Sequence, residues 1–297
     1  MSDSQSIRDD LAAVTAEDRS RRWRQAAVLA FRTLFTALQL YPPIASQVAY
    51  RYFFRPRKAR PRNVNYLRAY DLALKDEKVR VYEGGEGPAV LVVHGWESSV
   101  ARLEVLLHSL IECHFRVVAF DMPGHGHSPA KDTDIVRITD FITTLAESAG
   151  PFVAAIGHSF GGVCLVNAIR CKLDVARLVL IATPSSLAGM IDKYCRALGI
   201  WRPTKVRLVR AIEKRLASYE LEREFDLRLI LQSSSAPTLI VHDHMDRVVP
   251  FSEGEELSRA RADIELLSTD NLGHSKIIRD TQTIQRCISF ISQNLQR

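Results

Sequence analysis

From Tyr66 onward the chain alternates short apolar runs with amphipathic stretches. Ala89–Val93 is apolar at every position, and Phe115–Phe120, Phe152–Ile156, Ala176–Ile181 and Pro237–Val241 are close to it. Continuous apolar runs of strand length read as central strands covered on both faces. Tyr70–Leu74 and Lys78–Tyr82 read as an opening strand pair, and Ile264–Leu267 as a last strand. Helical spacing recurs over Arg102–Cys113, Ile135–Ser148, Gly161–Cys171, Phe251–Arg261 and Ser275–Leu295. Strands alternating with helices predict an α/β fold, a mostly parallel sheet flanked by helices.

One segment interrupts that alternation. Pro184–Ser235 is charged and helical in pattern (Met190–Leu198, Val206–Tyr219, Leu221–Gln232), too long for a simple crossover, and reads as a helical lid inserted after the sixth strand. Its apolar residues Leu187, Met190, Ile191, Leu198, Ile200 and Trp201 suit either an acyl-chain pocket or packing on the body. The organisation expected is therefore a basic arm over 1–62, a core over 63–183, a lid over 184–235 and the rest of the core over 236–297.

Charge singles out the arm. Residues 1–62 hold 12 Lys/Arg against 5 Asp/Glu, whereas 63–297 hold 28 against 29. Basic residues mix with aromatics only in Arg51–Arg62, so nucleic-acid binding is not expected. Met1–Asp18 carries five acids, which argues against a secretory signal. Ala26–Tyr41 is too short to span a bilayer and ends at Pro42-Pro43, but Gln25, Arg32, Thr36 and Gln39 leave a wide apolar face. Two readings stay open for it. The helix docks on its own domain or on a second subunit of a homodimer, with Arg51–Arg62 a solvated basic linker, or it lies on an anionic membrane surface. Five cysteines without ligand spacing fit a reducing, cytoplasmic setting, including the inner face of a membrane.

Candidate chemistry centres on Gly157-His-Ser-Phe-Gly-Gly162, which follows a strand and opens a helix. A serine on a sharp strand-to-helix turn is exposed, and the turn needs small residues two positions to either side. The serine also needs a base and an acid. Asp246 follows the strand Pro237–Val241, and His274 follows Ile264–Leu267, giving the chain order Ser, Asp, His.

With that order the chain resembles the α/β-hydrolase fold superfamily over residues 66 to 297. Asp246-x-x-Val-Pro250, Gly273-His274, His94-Gly95-Trp96 and Asp121-Met-Pro-Gly-His-Gly-His-Ser128 each match a family pattern in register. The resemblance implies Ser159 as nucleophile, His274 as base, Asp246 as orienting acid, and the N–H groups of Trp96 and Phe160 as the oxyanion hole. It also implies a serine hydrolase acting on a small-molecule carboxylic ester without a cofactor. Thioester hydrolysis, carbon–carbon bond hydrolysis and a non-catalytic binding role share the same scaffold. Two positions depart from the pattern. Asp243 competes with Asp246 as the orienting acid, and Glu97 places a carboxylate beside the oxyanion loop. His158 is expected to pack or line the pocket, and the His-x-His pairs at 125/127 and 242/244 to be structural rather than metal-binding.

Overall fold

The computed structural model describes residues 30, 32–58, 61–75, 77–216 and 225–293. The acidic stretch up to Asp18, the first turn of the expected N-terminal helix and the middle of the expected lid lie outside them.

Eight strands form one sheet: β1 (Arg68–Leu74), β2 (Glu77–Gly84), β3 (Ala89–Val93), β4 (Arg116–Phe120), β5 (Phe152–His158), β6 (Val175–Ile181), β7 (Thr238–Asp243) and β8 (Glu265–Thr269), in the order β1-β2-β4-β3-β5-β6-β7-β8. β1–β2 and β2–β4 pair antiparallel and all other neighbours parallel, as the alternating pattern predicts. β3 and β7 are buried at every residue. Successive side chains point to opposite faces, so an unbroken apolar run is what two covered faces require.

Helix α2 (Glu104–Glu112), the 3-10 turn before it and the last helix supply one covering layer: Leu103, Leu106, Leu107 and Leu110 join Ile284, Phe290 and Ile291 against Val90, Val92, Ile156 and Val241. On α3 (Ile135–Ala149) the buried residues Ile138, Phe141, Ile142 and Leu145 fall at helical spacing, and Phe120 packs on Phe141. Asp134 caps this helix by accepting from the Arg137 amide.

Three features differ from the sequence expectation. Pro42-Pro43 opens a helix, α1 (Pro42–Phe54), instead of only ending one. Proline is favoured in a first helical turn, where its missing N–H costs nothing. That helix consumes Arg51–Phe54, and the residues after it are held on the body. Phe54 and Pro56 are buried, the Phe54 carbonyl accepts from Thr133, and the Lys58 ammonium donates to the Ser128 carbonyl at 2.8 Å. The expected solvated linker therefore starts later than Arg51. At the C-terminus the single expected helix is broken into a short helix Gly273–Lys276, a 3-10 turn Ile277–Arg279 and a helix Thr281–Ser292. Asp280 adopts an extended conformation and caps the last piece through the Thr283 amide at 2.8 Å.

Between β6 and β7 run α5 (Leu187–Ala197), α6 (Arg202–Arg215) and α7 (Leu227–Ser233). By compactness the described residues up to Tyr50 group with Asp192–Ile212, and Arg51–Ile191 with the residues from Glu213 onward. Leu187 and Ile191 are buried. Among the described residues, no helix is long and apolar enough to cross a membrane.

Candidate active site

Ser159 sits between β5 and α4 (Phe160–Arg170) with φ 53° and ψ −122°, a region L-residues rarely adopt. The turn is held open at a fixed angle. The Ser159 amide donates to the Ile181 carbonyl at 2.8 Å, and the Gly162 amide to the Ser159 carbonyl at 3.0 Å. A Cβ on Gly157 would lie 2.5 Å from the Gly162 Cα, and one on Gly161 would run into the carbonyl oxygens of Val93 and His94. The two glycines flanking the serine are thus steric requirements of the strand-to-helix crossing.

His274 lies on the short helix after β8, and Asp246 in the turn after β7. The Ser159 hydroxyl is 3.1 Å from His274 Nε2, and His274 Nδ1 is 2.7 Å from Asp246 Oδ2. A carboxylate only accepts, so Nδ1 carries the imidazole proton and Nε2 offers its lone pair to the hydroxyl. Asp246 Oδ1 accepts from the amides of Val248 at 2.7 Å and Val249 at 2.9 Å. Burial alone would raise its pKa, but the bonds from His274, Val249 and Val248 together hold it below the usual carboxylate range. An ionised carboxylate in that position fixes the orientation and tautomer of the ring.

Asp243 has a different task. Its Oδ1 accepts from the Met245 amide, and its Oδ2 from the Thr269 hydroxyl at 2.8 Å and the Leu272 amide at 3.0 Å. It ties the end of β7 to the end of β8 and to the loop that delivers His274. Between the two competing aspartates, the one in contact with His274 is Asp246.

His158, expected only to pack or line the pocket, does more. Its Nε2–H donates to the backbone carbonyl of His274 at 2.9 Å, and the two rings lie 5.0 Å apart. Burial, reinforced by the neighbouring His274, pushes its pKa down to about 3, so the ring is neutral. Nothing in a one-dimensional pattern announces a bond between side chain 158 and peptide 274.

The loop His94–Trp96 after β3 is braced from below. The Met122 amide donates to His94 Nε2 at 3.0 Å, and His94 Nδ1–H donates to the Gly95 carbonyl at 2.7 Å. Gly95 lies so close to the serine that a Cβ there would stand 3.1 Å from the Ser159 Cβ. The next residue, Trp96, meets the Phe160 ring edge to face at 5.4 Å and the His125 ring at 5.1 Å. Phe160 opens α4, where an amide has no acceptor within the helix. Residues 96 and 160 therefore flank Ser159 from the loop and from the helix.

Glu97 adopts φ 55°, and its carboxylate is taken by Arg57. Arg57 donates to it through the backbone amide at 3.2 Å, through Nε at 3.0 Å and through Nη2 at 3.1 Å. The hydrogen bonds Arg57 donates to Glu97, then the charge of that carboxylate, raise the Arg57 pKa. Both the reach of Arg57 and its partner were invisible to sequence reasoning, since forty residues separate them.

The Asp121 turn locks the neighbouring layer. Its carboxylate accepts from the amides of Val100 and His127 and from the Tyr82 hydroxyl, and its carbonyl from the Ser128 hydroxyl. His125 is buried with its pKa pushed to about 3 by burial first, then by His94. His242 is also buried, and its Nε2–H donates to the Val249 carbonyl at 3.0 Å, behind Asp246. Among the described residues, no group of three or more His, Cys, Asp or Glu converges as a metal site would require.

The alpha/beta hydrolase family profile matches residues 90–276, from β3 through His274. The AB hydrolase superfamily protein YisY of Bacillus subtilis (strain 168) is 26% identical over 251 residues, 71% of this chain and 93% of its own length. A pimeloyl-acyl-carrier protein methyl ester esterase of Methylococcus capsulatus is 26% identical over 250 residues, 71% of this chain and 97% of its own. Among solved structures, an esterase from Exiguobacterium antarcticum superposes with a TM-score of 0.57 at 20% identity, covering 73% of this chain and 96% of that one. The profile match over more than half of the chain leads to one assignment: the chain belongs to the alpha/beta hydrolase family.

Proposed function

We propose that the protein is a serine hydrolase that cleaves a carboxylic ester through an acyl-enzyme, with Ser159 as nucleophile, His274 as general base and acid, and Asp246 as orienting acid. The observation that carries this reading is the unbroken relay from the Ser159 hydroxyl through His274 to an ionised, buried Asp246. A serine hydroxyl becomes nucleophilic when a base takes its proton as it attacks. His274 Nε2 receives that proton, and Asp246 stabilises the resulting imidazolium without being protonated itself. The carbonyl oxygen turns into an oxyanion held by the N–H groups of Trp96 and Phe160. Removing one such donor typically costs about 10²- to 10³-fold in rate. His274 then protonates the departing alcohol. Water, deprotonated by the same ring, releases the acid, so the reaction needs no cofactor.

The ester assignment draws on the Methylococcus capsulatus relative, which is named for a methyl ester. A binding-only reading has lost its main support. Glu97 would oppose an oxyanion if its carboxylate faced one, but that carboxylate is occupied by Arg57.

The test is hydrolysis of p-nitrophenyl esters from acetate to decanoate, beside thioesters of the same acids. Wild type is expected to cleave the oxygen esters with a preferred chain length, and Ser159→Ala to reduce turnover to background with an unchanged circular dichroism spectrum. Substantial turnover by Ser159→Ala, or cleavage of thioesters alone, rejects the assignment.

A further inference from the structure

The compact unit formed by residues 30–50 and 192–212 carries an exposed surface of its own. Two interhelical turns meet there. One is Gln39–Tyr41, between the helical turns at 32–38 and α1, and the other is Gly199–Trp201, between α5 and α6. Gln39 staples them. It is almost wholly buried, its Nε2 donates to the Gly199 carbonyl at 3.0 Å, and its Oε1 accepts from the Trp201 amide at 2.6 Å. The same unit is tied again where the Tyr194 hydroxyl donates to the Ala49 carbonyl at 2.8 Å. Segments about 160 residues apart in sequence thus share one tip.

The tip is apolar and exposed. Leu40 keeps 78% of its surface, Tyr41 60% and Trp201 43%, with Leu34 and Ile44 exposed on the adjoining helices. Single exposed apolar residues mean nothing on a protein surface, but a buried amide that gathers two turns so that Leu40, Tyr41 and Trp201 become neighbours makes a patch. Around it the charge has one sign. Residues 30–50 and 192–212 contain seven Lys or Arg against one acid, Asp192, and that acid is paired with Lys205 at 2.7 Å. On α6, Arg202, Val206 and Arg210 recur at intervals of four and are all exposed, so they share a face of the helix that begins beside Trp201.

We infer that this tip docks on an anionic membrane surface, with Leu40, Tyr41 and Trp201 entering the headgroup layer and Arg202 and Arg210 pairing with lipid phosphates. The combination selects the occupant. Leucine and tryptophan beside arginine match the layered polarity of a lipid–water interface. A nucleic-acid backbone would use the cations but leave Leu34, Leu40 and Ile44 without partners. A second copy would bring like charge against like charge across the same face. None of Leu40, Tyr41, Trp201, Arg202 and Arg210 belongs to the proposed Ser159–His274–Asp246 relay, and soluble-ester hydrolysis reports on the relay separately.

The experiment is flotation of the full chain with vesicles of phosphatidylcholine alone and of phosphatidylcholine with phosphatidylglycerol at two to one. The variants are Leu40→Ser with Trp201→Ser, and Arg202→Glu with Arg210→Glu, each checked by circular dichroism and by soluble-ester hydrolysis. The protein is expected to float with the anionic vesicles only, and to be released as salt is raised. The apolar pair is expected to weaken binding at least tenfold, and each arginine removed from the contact to cost about fivefold. Failure of the wild type to float, equal binding to both vesicle types, or binding untouched by either well-folded pair overturns the inference. So does a dimer, seen by analytical ultracentrifugation, that the same variants dissociate while vesicle binding persists, since the tip would then be covered by a second copy.

Discussion

His158 holds the peptide of His274: its Nε2–H meets the His274 carbonyl oxygen at 2.9 Å, so the residue before Ser159 positions the backbone of residue 274. The relay geometry thereby depends on a bond outside the relay. His158→Phe keeps a ring of similar size and removes the donor, and is expected to lower kcat by about 10- to 100-fold with KM nearly unchanged, since misplacement of a reacting group costs that order. His158→Gln, which retains an N–H, is expected to recover part of the loss. Equal activity of wild type and the Phe variant would assign His158 to packing alone.

The two aspartates separate by kind of effect. Asp246→Asn leaves shape but loses the charge that fixes the tautomer, and is expected to lower kcat by about 10⁴-fold. Asp243→Asn weakens the ties to Met245, Leu272 and Thr269 and is expected to act mainly on the melting temperature. Steady-state kinetics and thermal melts on both variants check this, and the reverse pattern would exchange their roles.

Arg57 and Glu97 form a pair whose worth lies in where it keeps a negative charge. The guanidinium is largely exposed, so the stability gained is small. Arg57→Ala frees the Glu97 carboxylate beside Trp96, and acylation is expected to slow about three- to tenfold. Glu97→Gln in the same chain is expected to restore the rate, which a double-mutant cycle reads directly. If both single variants and the double variant act at wild-type rate, the carboxylate has no influence on the oxyanion.

Acid is expected to destabilise the fold before the carboxylates titrate. Buried His158 and His125 have pKa values of about 3, against about 6.5 in an unfolded chain. Between those values the unfolded state binds a proton that the native state refuses. Stability is thus full above about pH 6.5 and falls towards pH 3, by about 1.4 kcal/mol per pH unit for each such ring. Asp243 and Asp246, both held low, add a loss in the same direction below about pH 3.9. Urea midpoints measured from pH 7 to pH 4 check the trend, and His125→Gln is expected to flatten it. A midpoint constant down to pH 4.5 contradicts the assignment of neutral, buried rings.

The fold was legible because burial on both faces writes itself as continuous apolar runs, and β3 and β7 are the clearest instances. Ser159, Asp246 and His274 stood out because each follows a strand within a local pattern. What stayed hidden was long-range or bifunctional. Pro42-Pro43 carries opposite meanings at a helix end and a helix start, and only packing chose between them. Asp280 broke the last helix by capping, a choice the apolar periodicity of 275–295 does not register. His158, Arg57 and Gln39 act through partners 116, 40 and 160 residues away, and no pattern along the chain links such positions.

The central claim is an activated serine, and a fluorophosphonate reads it without knowledge of the substrate. Intact-mass measurement of wild type, Ser159→Ala and Asp246→Asn after brief exposure to the reagent is the most direct test. Ser159 as the activated nucleophile predicts one adduct on wild type, none on Ser159→Ala, and labelling of Asp246→Asn slower by orders of magnitude. A folded wild type that stays unlabelled, or an adduct that persists on Ser159→Ala, would contradict it.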